Sequence, residues 1–199
     1  MQRSILIPDG FSHDYRYPLV IWLCRDERER RLRVRQFPRI SNRNYIGLFV
    51  EYPDEMLFDS TRAFWTHSLL ELLQTLPVHR RRIYLAGVGD HGYAAYQIMA
   101  QSHYLVSGAI SLLCHLPVGF LTRILSEDNS DAVAQRKLDA MRLFWMPPYM
   151  GPAPKPLACI NHDKRSPFWL TRARTLTQES RVWSEVNQFV MQGIYSASF

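Results

Sequence analysis

One stretch constrains the fold of this chain more than any other: residues 82–99, which read RIYLAGVGDHGYAAYQIM. It opens with the apolar run 83–86, whose β-branched, aromatic and aliphatic side chains are typical of a buried strand. A glycine-rich sequence follows. Residues 93–99 are then mostly apolar and free of proline and glycine, as expected of a helix packed on a sheet. The stretch therefore predicts a buried strand that turns sharply into a helix.

Other segments repeat this alternation of strand and helix. We expect strands at 4–8, 18–24, 45–52, 106–114 and 157–162, and helices at 59–76 (capped by Asp59 or Ser60), from 128 or 130 to 144, at 167–176 and at 183–194. Helices between successive strands act as crossovers, which predicts parallel, right-handed connections. The fold class is therefore α/β: a three-layer α/β/α sandwich around a mainly parallel sheet of about five or six strands. Antiparallel pairing of strands 45–52 and 83–88 would contradict it.

The strand, glycine turn and helix at 82–99 resemble the nucleophile elbow of the α/β-hydrolase superfamily, where the motif G-x-S-x-G lifts a serine above the sheet. The resemblance extends over residues 5–194 and is closest to the small esterase, dienelactone hydrolase and acylhydrolase branch. Alignment of Gly87 with the first glycine of the motif puts Gly89 at the serine position. The resemblance thus implies a reduced α/β-hydrolase fold whose nucleophile position has no side chain.

The resemblance implies three further catalytic parts, and each departs from the family pattern. Residues 24–26, Cys-Arg-Asp, replace a His-Gly-Gly type loop that helps form the oxyanion hole. Ser166 stands where an aspartate after strand 157–162 would orient the catalytic histidine, and no histidine follows His162. The interval 167–183 is short, so we expect the final strand to be deleted. Asp163 could be a shifted acid, but an orienting acid has no role without a histidine.

These residues are compatible with two functions. The first is a non-catalytic α/β-hydrolase-like protein, a pseudo-esterase, that holds a small molecule or a protein partner above the strand ends. The second is an active hydrolase of carboxylic esters or related bonds with Asp90 as nucleophile, resembling the Asp-x-Gly elbow of dehalogenases and epoxide hydrolases. His162 or His115 would then be the base. Val88 would lie two residues before that nucleophile, where a tight turn favours a small residue. We prefer the first function because the nucleophile, the acid, the base and the oxyanion loop all depart from the family pattern.

Several polar residues also have a purely structural interpretation. Asp90 is expected to cap the first turn of the helix that follows it, and His91 to be an exposed first-turn residue. Cys114 and His115 are adjacent, but neighbours along a strand face opposite sides and do not form a catalytic pair. His67 has no metal-ligand partner at i+3 or i+4 on its helix, so we expect it to be a packed or surface residue.

The formal charge of +6 is partly concentrated in the arginine-rich stretch 25–39. Such a cluster could hold phosphates or an acidic partner, because each guanidinium offers a rigid fork of donors. However, Asp26, Glu27 and Glu29 are interleaved with the arginines, and no aromatic ladder for stacking bases accompanies them. We therefore expect a solvated, salt-bridged surface and no nucleic-acid partner.

Length and composition bound the remaining expectations. A chain of 199 residues, of which 47% are hydrophobic, predicts a single domain over 1–199. Neither a signal-peptide core nor an apolar run near the roughly 18 residues of a membrane span is present in the sequence, which predicts a cytoplasmic protein without a membrane partner. Cys24, Cys114 and Cys159 lie in apolar runs without metal-ligand spacing, so we expect buried thiols, no disulfide, no metal and no cofactor.

Overall fold

A computed structural model describes residues 3–41, 43–52, 62–101, 105–115, 142–146, 168–170 and 179–196. Within these ranges no helix combines the length and the apolar character needed to cross a membrane. The strands are β1 (Arg3–Leu6), β2 (Tyr17–Cys24), β3 (Ile46–Glu51), β4 (Val78–Val88), β5 (Gly108–Leu112), β6 (Arg142–Met146) and β7 (Phe168–Leu170). The helices are α1 (Glu27–Gln36), α2 (Arg62–Thr75), α3 (Asp90–Gln101) and α4 (Glu179–Ser196), and a short 3-10 turn spans Phe37–Arg39.

The described strands form one sheet in the order β1-β3-β2-β4-β5-β6-β7. Only β1 runs antiparallel to its neighbour; β3, β2, β4, β5, β6 and β7 pair in parallel. Strands β3 and β4 flank β2 and share its direction, so the predicted mainly parallel α/β sheet is confirmed. The described sheet has seven strands instead of the five or six expected.

The sheet is covered on both faces, because β2 and residues 83–87 of the neighbouring β4 are buried at every position. All eight residues of β2 are buried, and a strand buried on both sides needs a helical layer on each. Alternate side chains of the sheet pack in two cores. One core contains Leu69 and Leu72 of α2 with Ala94, Ala95 and Met99 of α3; the other contains Phe37 of the 3-10 turn with Val182, Val186, Phe189 and Val190 of α4. The predicted three-layer α/β/α sandwich is thereby confirmed.

Two segments near the carboxyl end differ from the sequence-based expectation. Residues 142–144, expected to end a helix, belong to strand β6, which pairs in parallel with β5. Residues 168–170, expected in a helix at 167–176, form β7 beside β6. A short apolar run does not distinguish a buried strand from a buried helix by periodicity alone, so sheet pairing decides. The expectation that no strand follows residue 162 is wrong.

The remaining predicted elements divide into those described and those not. The strands at 4–8, 18–24, 45–52, 83–88 and 106–114 and the helices at 59–76 and 183–194 correspond to β1–β5, α2 and α4, with bounds that shift by a few residues. The strand expected at 157–162, the cap at Asp59 or Ser60 and the start of the helix at 128 or 130 lie outside the described residues. The single-domain assignment stays a prediction.

Candidate functional site

Gly89 alone forms the turn between β4, which ends at Val88, and α3, which begins at Asp90. Its φ of +58° lies in the left-handed region that glycine adopts most readily. The Gly89 N–H donates to the Leu112 carbonyl at 2.8 Å, and the Gly89 carbonyl accepts from the Tyr93 N–H at 3.1 Å. A Cβ added at Gly89 would meet no atom of the described residues within 4 Å. The turn therefore presents no side chain and is not packed against the described part of the chain.

The backbone below this turn is packed too closely for side chains at two other glycines. A Cβ at Gly87 would lie 2.2 Å from the His91 carbonyl oxygen. A Cβ at Gly92 would lie 3.0 Å from the Gly87 carbonyl oxygen and 3.1 Å from that of Leu112. The strand and the helix thus approach each other through glycine, as a tight strand-to-helix turn requires.

Asp90 is the first residue of α3 and is exposed. Its position at the helix N-terminus is favourable for a carboxylate, because the free N–H groups there carry partial positive charge. The positive φ falls on Gly89, so Asp90 lies one residue beyond the turn and not at its apex. Within the described part of the chain, no hydrogen bond or ion pair joins Asp90 to His115, which is exposed. His162, the other candidate base, lies outside that part.

His91 is buried, with 1% of its surface exposed, so the expectation of an exposed first-turn residue is wrong. Its Nε2 is hydrogen-bonded to the Tyr52 carbonyl, just beyond the end of β3. The Tyr52 N–H in turn donates to the Cys24 carbonyl at 2.7 Å, at the end of β2. The side chain of His91 thus points into the edge of the sheet, where it links α3 to two strand ends.

Two more side chains, from β5 and β6, form hydrogen bonds at the carboxyl edge of the sheet. The Ser111 hydroxyl donates to the Gly92 carbonyl at 2.8 Å, and the Trp145 indole N–H donates to the Cys114 carbonyl at 2.9 Å. Both contacts are buried. These two side chains therefore connect β5 to the first turn of α3 and β6 to the residues that follow β5.

The described cysteines are buried free thiols, as predicted. Burial raises the pKa of Cys24 to about 12, and burial also raises the pKa of Cys114 to about 12. A thiol nucleophile must ionise, so neither cysteine is activated for covalent catalysis at neutral pH. Cys159 lies outside the described residues. Among the residues that are described, no three His, Cys, Asp or Glu side chains converge on a metal position.

The loop after β2, where the resemblance implies an oxyanion-hole amide, has another use. Asp26 caps α1 by accepting from the Glu29 N–H at 2.8 Å. The Glu29 carboxylate in turn accepts a hydrogen bond from the Arg25 N–H at 2.9 Å. This reciprocal arrangement resembles a capping box. It occupies the Arg25 amide, which is therefore not free to bind an oxyanion.

The sheet order changes where the family's acid and base would be expected. The resemblance implies an acid after the penultimate strand and a histidine after the final strand, which in the described sheet are β6 and β7. Residues 147–167, between β6 and β7 in the sequence, contain a single acidic residue, Asp163, and residues 171–199 contain no His. Ser166, assigned as the acid position from the strand at 157–162, lies outside the described residues and precedes β7 in sequence. Its catalytic assignment stays a prediction.

No protein-family model matches the sequence, and no curated protein matches it. Solved structures, however, share the fold. A ferulic acid esterase aligns with a TM-score of 0.63 at 14% identity, over 96% of this chain and 92% of its own. The Staphylococcus aureus protein FphF, a fluorophosphonate-binding serine hydrolase solved with substrate bound, aligns with a TM-score of 0.62 at 12% identity. The alignment covers 96% of this chain and 91% of FphF. A thermostable esterase aligns with a TM-score of 0.51 at 15% identity, and this chain covers only 55% of that longer protein.

These neighbours are esterases and serine hydrolases, and at such low identities the likeness concerns the fold. The alignments extend over 96% of this chain, which includes the mainly parallel sheet and the glycine turn between β4 and α3. The chain therefore has the α/β-hydrolase fold.

Proposed function

We propose that this protein is a non-catalytic α/β-hydrolase-like protein, a pseudo-esterase, which binds a small molecule or a protein partner at the carboxyl edge of its sheet. The observation that carries this proposal is Gly89. It occupies the elbow turn with a φ of +58°, where the superfamily places its nucleophile, and it has no side chain to attack a substrate. The other polar groups of the site support the same function.

Three further features support a non-catalytic function, in addition to the missing nucleophile. The Arg25 amide is bonded to Glu29, so one expected oxyanion donor is occupied. The imidazole Nε2 of His91 is bonded to a backbone carbonyl in a buried position, which ties that nitrogen to the scaffold. No histidine follows β7, where a base would be expected, and the one carboxylate between β6 and β7 in the sequence, Asp163, has no such histidine to orient. Members of a catalytic triad act as a unit, and loss of one leaves only about 10³–10⁴-fold acceleration from binding and the oxyanion hole.

The free space above Gly89 supports retention of a binding role. A Cβ there would meet nothing within 4 Å, so the turn borders a volume that the described residues leave open. The N-terminus of α3 adjoins it, and the amides of a helix N-terminus can orient a polar ligand. The elbow backbone could therefore position a ligand without performing covalent chemistry.

Steady-state hydrolysis tests this proposal against its competitor. Purified protein is assayed with p-nitrophenyl and naphthyl esters and with a feruloyl ester, the last because one structural neighbour is a ferulic acid esterase. We expect no turnover above the buffer rate. The competing hypothesis is an active hydrolase that uses Asp90 as nucleophile with His162 or His115 as base. It predicts turnover that Asp90→Ala abolishes while the far-UV circular dichroism spectrum is unchanged, and that result would replace our proposal.

A further inference from the structure

Helix α1 carries more arginine than its neighbouring carboxylates can pair. Arg30 is bonded to Glu51 at 3.0 Å and lies 3.7 Å from Glu27. Arg31 pairs with Glu27 at 2.7 Å, and Arg33 pairs with Glu29 at 3.0 Å. These contacts, with the Asp26 cap, engage the acidic side chains of the helix and its start.

Two arginines are left over by this pairing. Arg28 and Arg35 are exposed and, within the described part of the chain, form neither a salt bridge nor a side-chain hydrogen bond. They lie seven positions apart, which is about two helical turns, so both project from the same side of α1. Leu32 lies between them and is 47% exposed. The three residues form one stripe, here called the Arg28–Leu32–Arg35 stripe.

Further positive charge borders this stripe. Arg31 lies about 60° from Arg28 on the helical projection of α1, while Arg25 precedes the helix and Arg39 follows it in the 3-10 turn. All three are exposed. Exposed arginines thus lie beside the stripe and at both ends of α1, and the exposed large apolar side chain of the helix is Leu32.

We propose that the Arg28–Leu32–Arg35 stripe docks an acidic protein segment, one that presents carboxylates about two helical turns apart around an apolar residue. Guanidinium groups bind carboxylates with paired, directional hydrogen bonds, and these would supply orientation. Leu32 would pack against the apolar residue of the partner, which removes its exposed surface from water. This surface lies on α1 and does not include Gly89, so the proposal is independent of whether the elbow is catalytic.

The composition of the stripe favours a protein over the other anionic macromolecules. A nucleic-acid site would be expected to combine the arginines with aromatic side chains for stacking, and the exposed positions of α1 include none. A membrane-surface helix needs a broad apolar face, whereas this face offers only Leu32. An apolar side chain flanked by cations best matches an amphipathic acidic segment.

Fluorescence anisotropy with a labelled peptide tests the proposal. The probe is a short helical peptide with glutamates spaced to match Arg28 and Arg35 around a central leucine; its control has glutamine in place of each glutamate. We expect saturable binding of the acidic peptide that weakens as salt is added, and no binding of the glutamine peptide. The double variant Arg28→Gln/Arg35→Gln should weaken binding about tenfold, on the scale of two exposed charge pairs. Leu32→Ser should weaken it severalfold.

The matched control variant is Arg80→Gln/Arg81→Gln, which removes two exposed arginines from β4 and changes the net charge equally. It should leave the affinity unchanged within about twofold, because Arg80 and Arg81 lie on β4 and outside the Arg28–Leu32–Arg35 stripe. Equal weakening by both double variants would show unspecific attraction and overturn the proposal, as would absence of peptide binding at low salt. Tighter binding of a single-stranded DNA, or of phosphatidylserine vesicles, through the same arginines would overturn it in favour of those partners.

Discussion

The Nε2 of His91 is hydrogen-bonded to the backbone carbonyl of Tyr52, which joins the first turn of α3 to the residue that follows β3. The Tyr52 ring packs edge-on against the imidazole, with 6.3 Å between ring centroids. At the motif position where the resembled superfamily has a small glycine, this chain therefore has a buried cross-brace. The elbow is held in place by this hydrogen bond and by the packing of the two rings.

Removal of this brace should destabilise the fold. We expect His91→Ala to lower the free energy of unfolding by about 2–3 kcal/mol, because it leaves a cavity and a buried carbonyl without its donor. His115→Ala, a substitution at an exposed histidine, should change it by less than about 0.5 kcal/mol. Urea unfolding followed by circular dichroism measures both values. Similar losses for the two variants would show that the Tyr52 contact contributes little.

Substitution of glycine by alanine should destabilise the fold to different extents at Gly89 and Gly87 of the elbow and at Gly10, which lies outside it. Gly89→Ala and Gly10→Ala should each cost about 1–2 kcal/mol, since both positions have positive φ but no atom within 4 Å of an added Cβ. Gly87→Ala should cost more than either, because its Cβ would lie 2.2 Å from the His91 carbonyl oxygen. Thermal unfolding of the three variants gives the order. A milder effect at Gly87 than at Gly89 would contradict the packing of the elbow.

The buried cysteines should resist modification. In a Cys159→Ser background, Cys24 and Cys114 should react with a thiol reagent at pH 8 far more slowly than a free cysteine, because burial raises the pKa of each to about 12. Both should react rapidly in denaturant. Fast stoichiometric labelling of the folded protein would mean that one of these thiols is exposed and ionised.

His79 should contribute to acid sensitivity. Burial, aided by the neighbouring Arg82 and Arg81, lowers the pKa of His79 below its ordinary value of 6.5. The unfolded chain then binds a proton more readily than the folded one, so this group costs stability as the pH falls below 6.5 and costs none well above it. His79→Gln should therefore flatten the fall in unfolding free energy across that range. Parallel pH profiles for the variant and the wild type would contradict this assignment.

The elbow could be predicted from sequence because its determinants are local. Glycine spacing after a short apolar run specifies a tight turn regardless of the rest of the chain, and Gly89 adopts the positive φ that such a turn requires. The secondary structure of residues 142–146 could not be predicted in the same way. Their apolar run fits either a helix or a strand, and only pairing with β5, more than 30 residues earlier, decides between them.

The burial of His91 also depends on distant residues. Its partner Tyr52 is 39 positions away, at the end of a strand that is not even adjacent to β4 in the sheet. The first turn of a helix usually faces solvent, so local sequence indicates exposure. Burial follows only once β3 and α3 are assembled around the same sheet edge, which is a tertiary property.

Intact-protein mass spectrometry after incubation with a fluorophosphonate tests the missing nucleophile most directly. On the proposed function, the wild-type protein and Gly89→Ser should both keep their unmodified mass, because Gly89 has no side chain to react and a serine introduced there would lack a base to activate its hydroxyl. FphF, a fluorophosphonate-binding serine hydrolase of the same fold, serves as the positive control. A stoichiometric phosphonyl adduct on folded wild-type protein would contradict the non-catalytic account.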